Sequence, residues 1–353
     1  MTKTAPSLRD VAQAAGVSLG TASRALNNKA NVLPATRALV LKAAADIGYQ
    51  LQIRVPTTVA SKINTIGVVV KRDPGEHPRL DQFNYTVLCG VEDECERLGL
   101  NLMYASLPVN EFSHATTWSS MLESGDVDGL VIIGIVFSDV SVTNRIPQHI
   151  PVVVVDAAAR GVECDVVLTN NAQGAYEAVS YLIAHGHSKI GLIGSSGTDE
   201  EHPSIHERRC GYLKALAEYG IEATYVEDSL LNGDSAYSAT IRLLNRVPDI
   251  SAVFACNDDV AMHVIRALRD LGRRVPEDVS VIGFDDTAGA LDTQPPLTTI
   301  HVYKELMGAL AVRQLYERAA DIHRPPITTL IGAKLVQRDS VARFASRQTM
   351  PET

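Results

Sequence analysis

The chain has 353 residues, 46% of them hydrophobic and 21% charged, with a formal net charge of −9. That length exceeds one ordinary domain, so two or three units are expected, with apolar material enough for sizeable cores. No apolar run approaches the ~18 residues of a membrane span, and no apolar stretch stands behind the basic N-terminus as in a secretory signal. The five cysteines (Cys89, Cys95, Cys164, Cys210 and Cys256) are scattered and form no CxxC pair, which argues against a disulfide frame or a zinc site. A cytoplasmic protein with no membrane partner, metal or cofactor is the expectation.

The charge is unevenly placed. Residues 1–62 carry eight basic side chains against Asp10 and Asp46, a net +6, which leaves −15 for the remainder. A small basic head on a large acidic body is the asymmetry expected when only the head meets phosphates.

From the N-terminus, Ser7 suits an N-cap, and Leu8, Val11, Ala12 and Ala15 recur at helical spacing. Gly16 stands where a helix ends in a left-handed residue, and Ser18 offers a second N-cap. Ala22, Ala25 and Leu26 give the following helix its buried face. Two short helices joined by a glycine turn form a helix-turn-helix, whose second helix enters the DNA major groove, or else a hairpin that merely packs. A third helix begins at Pro34, with Leu39, Val40, Ala43, Ala44 and Ile47 as its apolar face and Gly48 as its stop. Residues 51–63, with Pro56 opposing an uninterrupted helix, read as a linker.

After Asn64 the pattern changes. β-Branched runs at Ile66–Val70, Gly129–Gly134, Pro151–Asp156, Lys189–Gly194, Ala252–Cys256 and Val279–Phe284 read as strands covered on both faces. Helical stretches at Cys89–Leu98, Ala172–His185, Arg208–Tyr219, Ala236–Asn245 and Asp258–Leu271 alternate with them. This βα rhythm predicts parallel, doubly wound sheets, and its length predicts two lobes. The organisation expected is a helix-turn-helix head over residues 1–50, a hinge over 51–63, a two-lobed α/β core over 64–341 and a flexible tail over 342–353.

In such sheets ligands bind beyond the carboxyl ends of the strands, which singles out Lys71, Asp156, Ser195, Asn257, Asp258, Asp285 and Asp286. The Gly191–Gly197 loop lacks both phosphate-loop spacings and reads as a plain strand-end turn. His185 and His187 read as a helix terminus rather than a metal pair. Asp285 and Asp286 suit hydrogen bonding to sugar hydroxyls better than metal or acid–base chemistry. No GxSxG nucleophile elbow occurs.

The chain resembles the lactose-repressor-type (LacI/GalR) regulators. The resemblance rests on Leu8-Arg-Asp-Val-Ala-x-x-Ala-Gly-Val-Ser-x-x-Thr-x-Ser-Arg-x-Leu-Asn27, on Leu182-Ile-x-x-Gly-His187, on Arg208-x-x-Gly-Tyr-x-x-Ala-Leu216, on Cys256-Asn-Asp258 and on Val275-Pro-x-Asp-Val-Ser-Val-Ile-Gly-Phe-Asp-Asp286. It implies a homodimer on a palindromic operator, with a periplasmic-binding-protein-like core (type I) holding a small effector, by family habit a carbohydrate. It places a recognition helix from Ser18 to Leu26. Leu19, Gly20 and Arg24 fall on base-facing positions, where Arg24 can take guanine bidentately. Ser18, Thr21, Ser23, Asn27 and Asn31 fall on phosphate-contacting or framework positions. Lys71, Phe83, Asp156, Ser204, Arg208, Asn257 and Asp285 become the effector contacts. The hinge departs from the family pattern: the leucine wedge is missing from its register, so either Val55 or Val59 substitutes for it in the minor groove or the hinge bends DNA less. The other readings are a solute-binding protein without a DNA role and, more remotely, a sugar-processing enzyme.

Overall fold

The computed structural model describes residues 8–26, 34–46, 63–73, 81–117, 119, 121, 126–136, 146–147, 149–157, 164–198, 201–231 and 233–344. It divides into two compact units, Met1–Ala60 and Ser61–Thr353.

The first unit holds α1 (Leu8–Ala14), α2 (Leu19–Leu26) and α3 (Pro34–Asp46). Val11, Ala12, Ala15, Ala22, Ala25, Leu26, Val40, Ala43 and Ala44 form its core. With this many alanines, the helices must approach closely to bury anything, so the core is small. α1 ends in a Schellman turn: Val17 N donates to Ala12 O (3.0 Å) and Gly16 N to Gln13 O (3.2 Å), with Gly16 at φ +64°. Ser18 caps α2, its hydroxyl accepting from Thr21 N at 3.1 Å. Leu39, expected on the buried face of α3, is 52% exposed; Val40 takes the core position, because three short helices offer α3 only one narrow contact stripe. Ile47 and Gly48 lie outside the described residues.

The second unit contains two parallel sheets. In the first lobe, β1 (Thr65–Arg72), β2 (Asn101–Pro108), β3 (Gly129–Ile133), β4 (Val152–Val155), β5 (Asp165–Thr169) and β11 (Thr328–Ile331) run in the order β11-β5-β4-β3-β1-β2. The second lobe has β6 (Ile190–Ile193), β7 (Tyr225–Glu227), β8 (Ala252–Ala255) and β9 (Ser280–Ile282) in the order β7-β6-β8-β9. β3, β4, β6 and β8 are buried along their whole length, the mark of strands sandwiched between helix layers. An antiparallel pair, β10 (Thr299–His301) with β12 (Lys334–Val336), completes the second lobe.

Helix α4 (Gln82–Leu98) covers the first sheet together with α10 (Lys304–Ala320). It starts seven residues before the expected Cys89, because Asp81 caps it by accepting from Asn84 N at 2.8 Å. The second lobe carries α5 (Asn171–Ala184), α6 (Pro203–Glu218), α7 (Gly233–Arg246), α8 (Asp258–Asp270) and the short α9 (Gly289–Asp292). The described chain crosses between the lobes three times: from β5 into α5, from β10 into α10 and from β11 into β12.

Residues 342–344, within the stretch expected as a tail, are held to the second lobe. Ala342 N donates to Ser280 Oγ (3.1 Å), Phe344 N donates to His185 O (2.8 Å), and the Phe344 ring lies 5.7 Å from that of His187. Backbone pairing of this kind holds the chain to the second lobe as far as Phe344.

The contact between α4 and α10 depends on two glycines. A Cβ on Gly308 would lie 2.1 Å from Val87 O, and one on Gly90 would lie 2.0 Å from Glu305 O. Gly308→Ala must therefore push the helices apart, and it should cost about 1–3 kcal/mol in denaturant unfolding. An unchanged midpoint would show that this spacing carries no stability.

Candidate functional site

The carboxyl ends of the strands bring the chemistry together. Asp156 follows β4, Asn257 follows β8, and Asp285 and Asp286 follow β9. Asp156 (φ +53°), Asp285 (φ +104°) and Asp286 (φ +53°) all adopt left-handed backbone conformations. Non-glycine residues rarely do so without a reason, and such strain gathers at functional turns.

Arg208 organises the second-lobe side. It is 3% exposed and lies on α6. Its Nε donates to Asn171 Oδ1 (2.9 Å), Nη1 to Cys256 O (2.6 Å) and Nη2 to Asp285 Oδ1 (2.9 Å), while its guanidinium lies 3.8 Å over the Phe284 ring. One cation thus ties α5, the end of β8 and the turn after β9. Removing one partner of such a buried pair costs about 3–5 kcal/mol, since the other charge is left uncompensated. Burial pushes the Asp285 carboxyl up, against the attraction of Arg208 and Lys304. Lys304, at the start of α10, donates its ammonium to the carbonyls of Asp285, Asp286 (3.2 Å) and Val302 (3.3 Å). Asp286 accepts from Arg338 Nη2 (2.6 Å) and pairs with His301 Nδ1 (2.8 Å); burial raises its pKa, but these two bonds outweigh that and hold it low. Asp258 supports the same turn from below, accepting from Thr287 N (2.7 Å) and Thr299 Oγ1 (2.5 Å).

The first-lobe side is built by β1, β4 and the start of α4. Lys71, half-buried, pairs with Asp73 (3.3 Å) and Asp81 (4.0 Å). Asn84 is buried, with its amide donating to Asp81. A Cβ on Gly134 would meet both Asn84 Oδ1 and the Lys71 stem at 3.0 Å, which brings these two side chains side by side. Burial pushes Asp156 up to about 7, with Arg208 and Lys71 opposing and Asp285 and Asp81 adding.

Ser204 is buried in the first turn of α6 and bonds to His202, the helix N-cap. Burial, with Lys71, Arg208 and His114 nearby, pushes His202 down to about 3, so the ring is neutral. Asn257 caps α8, accepting from Val260 N at 2.8 Å. Phe83 packs, partly buried, against the hydrophobic core. Ser195 belongs to a loop whose amides at Ser196 (2.7 Å) and Gly197 (3.3 Å), with the Ser195 hydroxyl (2.6 Å), all donate to Glu201 Oε1. That cradle holds the chain's own carboxylate, so it is a strand-end turn and not a phosphate loop.

Sequence reasoning did not assign Asn84, Asn171, His202 or Phe284 to the site. A histidine directly before Pro203 carries an N-cap signature that could have flagged His202, since proline favours the first helical position. Asn171 follows β5, a strand that alternating burial made hard to see.

Of the operator-side candidates, Ser18, Leu19, Gly20, Thr21, Ser23 and Arg24 lie at the cap and along α2. Gly20 is exposed, and Thr21 Oγ1 lies 2.9 Å from Ser18 Oγ. Asn27, Asn31, Val55 and Val59 lie outside the described residues.

Residues 7–52 match the family "Bacterial regulatory proteins, lacI family", and residues 179–341 match "Periplasmic binding protein-like domain". The HTH-type transcriptional repressor PurR of Mannheimia succiniciproducens is 32% identical over 346 residues, covering 96% of this chain and 99% of that protein. PurR of Yersinia pestis is 33% identical, covering 95% and 96%. Among solved structures, a transcriptional regulator CelR–cellobiose complex superposes with a TM-score of 0.66 at 29% identity, covering 95% of this chain and 99% of that one. The lac repressor dimer bound to operator and the anti-inducer ONPF shares the fold, with a TM-score of 0.64 at 24% identity over 96% of this chain and all of that one.

The carboxyl of Asp156 gives the site a pH signature. Its raised pKa lets the folded state keep a proton that the unfolded state has lost, from its ordinary value near 4 up to about 7. Its contribution to stability therefore falls as pH rises through that window and is flat above it. Asp156→Asn, measured by thermal unfolding of the free protein, should raise Tm relative to the wild type by more at about pH 8 than at about pH 5. A difference independent of pH would contradict the burial of a titrating carboxyl.

Proposed function

The chain belongs to the lacI family of bacterial regulatory proteins and is a DNA-binding transcriptional repressor with a ligand-binding domain; from that premise we propose that it acts as a homodimer on a palindromic operator and is switched by a carbohydrate effector held between the lobes. It is a regulator, not an enzyme, and its work on DNA places it in the cytoplasm. What supports the effector reading is that charges from both lobes act on one another, Lys71, Arg208 and Asp285 on Asp156 and Lys71 and Arg208 on His202, with Ser204 bonded to that histidine. Carboxylates, amides and a guanidinium with N–H groups to spare suit a polyhydroxylated ligand, which needs many paired hydrogen bonds. The CelR structure carries cellobiose, which is consistent with that chemistry.

The switch is a linkage. An effector that prefers one lobe arrangement biases the spacing of the two heads, and operator DNA prefers the spacing of its half-sites. If the two preferences differ, each ligand weakens the other by the same factor, and if they agree, each strengthens the other. The heads would read DNA through α2 and the residues around it, with Arg24 on base edges and Ser18, Thr21, Ser23, Asn27 and Asn31 on the backbone. Leu19 and Gly20 offer little hydrogen-bonding code. Much of the specificity would then rest on apolar contact, on half-site spacing and on DNA shape, including any wedge from Val55 or Val59.

The test of the DNA half is selection of duplexes from a random pool, followed by affinity measurements with Arg24→Ala. A palindrome should emerge. Arg24→Ala should cost about 1–3 kcal/mol and relax preference at one position per half-site. A uniform loss across all sequences would remove Arg24 from base reading, and a pool that yields no preferred duplex would sink the regulator reading of this chain's head.

A further inference from the structure

The starts of β6, β7, β8 and β9 form the end of the second lobe opposite to the strand ends where the proposed effector would lie. Residues 340–344 cross this end in one direction. Val281 N donates to Ser340 O (2.8 Å) at the start of β9, and His187 Nε2 donates to Ala342 O (3.1 Å) while its Nδ1 stands 3.1 Å from Ser251 Oγ, just before β8. Phe344 N then donates to His185 O, ahead of β6. The sheet order makes β7 the next strand on that path. A groove of about 460 Å³ lies there, with Leu213, Leu216, Ala217, Ile221, Glu222 and Thr224 in its walls. The way α6 ends creates it. Gly220, at φ +69°, closes a Schellman turn in which Ile221 N donates to Leu216 O (2.9 Å) and Gly220 N to Ala217 O (3.1 Å). That turn folds Ile221 back toward Leu216 and leaves Leu213, one turn earlier, 37% exposed. Thr224 precedes Tyr225, whose amide donates to Tyr212 Oη (3.1 Å), and the same hydroxyl donates to Ile190 O (2.8 Å), so the groove adjoins the start of β6.

Residues 345–353 read Ala-Ser-Arg-Gln-Thr-Met-Pro-Glu-Thr and continue this path beyond the described residues. We propose that this groove is the docking site of that segment of the same chain, with Met350 seated against Leu213 and Ile221 and Arg347 paired with Glu222. The reach fits. The Phe344 ring lies 5.7 Å from that of His187, His187 is three residues from Ile190, and β7 is one strand spacing from β6, so the groove begins within about 20 Å of Phe344. Six residues of extended chain span about 20 Å, which brings Met350 to it. The chemistry fits as well. Met350 is the large apolar side chain of the segment, and an unbranched thioether fills an irregular apolar gap. Arg347 is its basic residue, and Glu222 gives the groove a negative charge. A segment tethered so close has a local concentration in the millimolar range, so a few such contacts suffice to hold it.

The experiment is amide hydrogen exchange read by mass spectrometry on the full-length protein, as wild type, Met350→Asp, Met350→Leu and Leu213→Asp, beside a synthetic peptide of residues 345–353. In the wild type the amides of 345–353 should exchange at least ~10-fold more slowly than in the peptide. Leu213→Asp should return them to the peptide's rate, and Met350→Asp should do the same while speeding exchange at residues 219–224. Met350→Leu, which keeps an apolar side chain of similar volume, should preserve the protection. The effect is reciprocal, each substitution exposing the segment it does not belong to, and a local disturbance of α6 by Leu213→Asp would not produce it. Met350→Asp also alters no residue of the folded lobe, so it decides the matter even where Leu213→Asp fails to fold. Exchange of 345–353 at the peptide's rate in the wild type, or protection unmoved by Met350→Asp, overturns the proposal. Protection that grows with protein concentration would assign the groove to the segment of a second copy and overturn docking within one chain.

Discussion

The buried guanidinium of Arg208 is the constraint on which the ligand-binding unit depends. A charge in that position is tolerable only if its hydrogen bonds are made, and the fold makes them with groups from three separate segments: Asn171, Cys256 and Asp285. The consequence is geometric. The ends of β8 and β9 and the starts of α5 and α6 are held in one register, and the left-handed turn at Asp285 and Asp286 is over-determined from every side. Lys304 extends the same device to the crossing that leads back to the first lobe, because its ammonium is bonded to carbonyls of that turn. The floor of the cleft and one of its hinges are therefore parts of a single polar network.

That coupling gives the proposed switch a physical basis. Among the described residues three chain crossings join the lobes, and none belongs to a sheet shared by both. Closure can then be borne by short connections while each sheet stays intact, as in hinge-type transitions. A pocket of about 200 Å³ lies beside the Asp285–Asp286 turn, lined by Gln82, Thr86 and Glu305 from one lobe and by Asp286, Thr287 and His301 from the other. Asp286, Thr287 and Thr86 in its lining are already bonded to neighbours within the protein.

Much of this was legible in the sequence, for reasons specific to each element. β3, β4, β6 and β8 are buried on both faces, so they read as continuous apolar runs. β5 has alternating burial, and β7, β10 and β12 are only three residues long, so no run marked them. α10 has an apolar face too mixed to stand out, and it packs through Gly308, which adds no hydrophobic signal. Arg208, Asp285 and Asp156 could be named because strand ends and family blocks pointed to them. Their roles could not: Arg208 spends three N–H groups on the protein itself, a fact that appears only once Asn171, Cys256 and Asp285 are brought within reach. The family resemblance placed the DNA reader on α2, and the Schellman turn at Gly16 with the Ser18 cap gives that placement a local cause.

The central claim is that occupancy of the cleft around Arg208 changes the affinity of the DNA head. Operator affinity measured by fluorescence anisotropy, with and without a saturating effector, in the wild type and in Arg208→Ala, tests it most directly. The account predicts a ligand-dependent change of roughly 5–150-fold in the wild type and none in Arg208→Ala. A variant that keeps the full ligand-dependent change would contradict it.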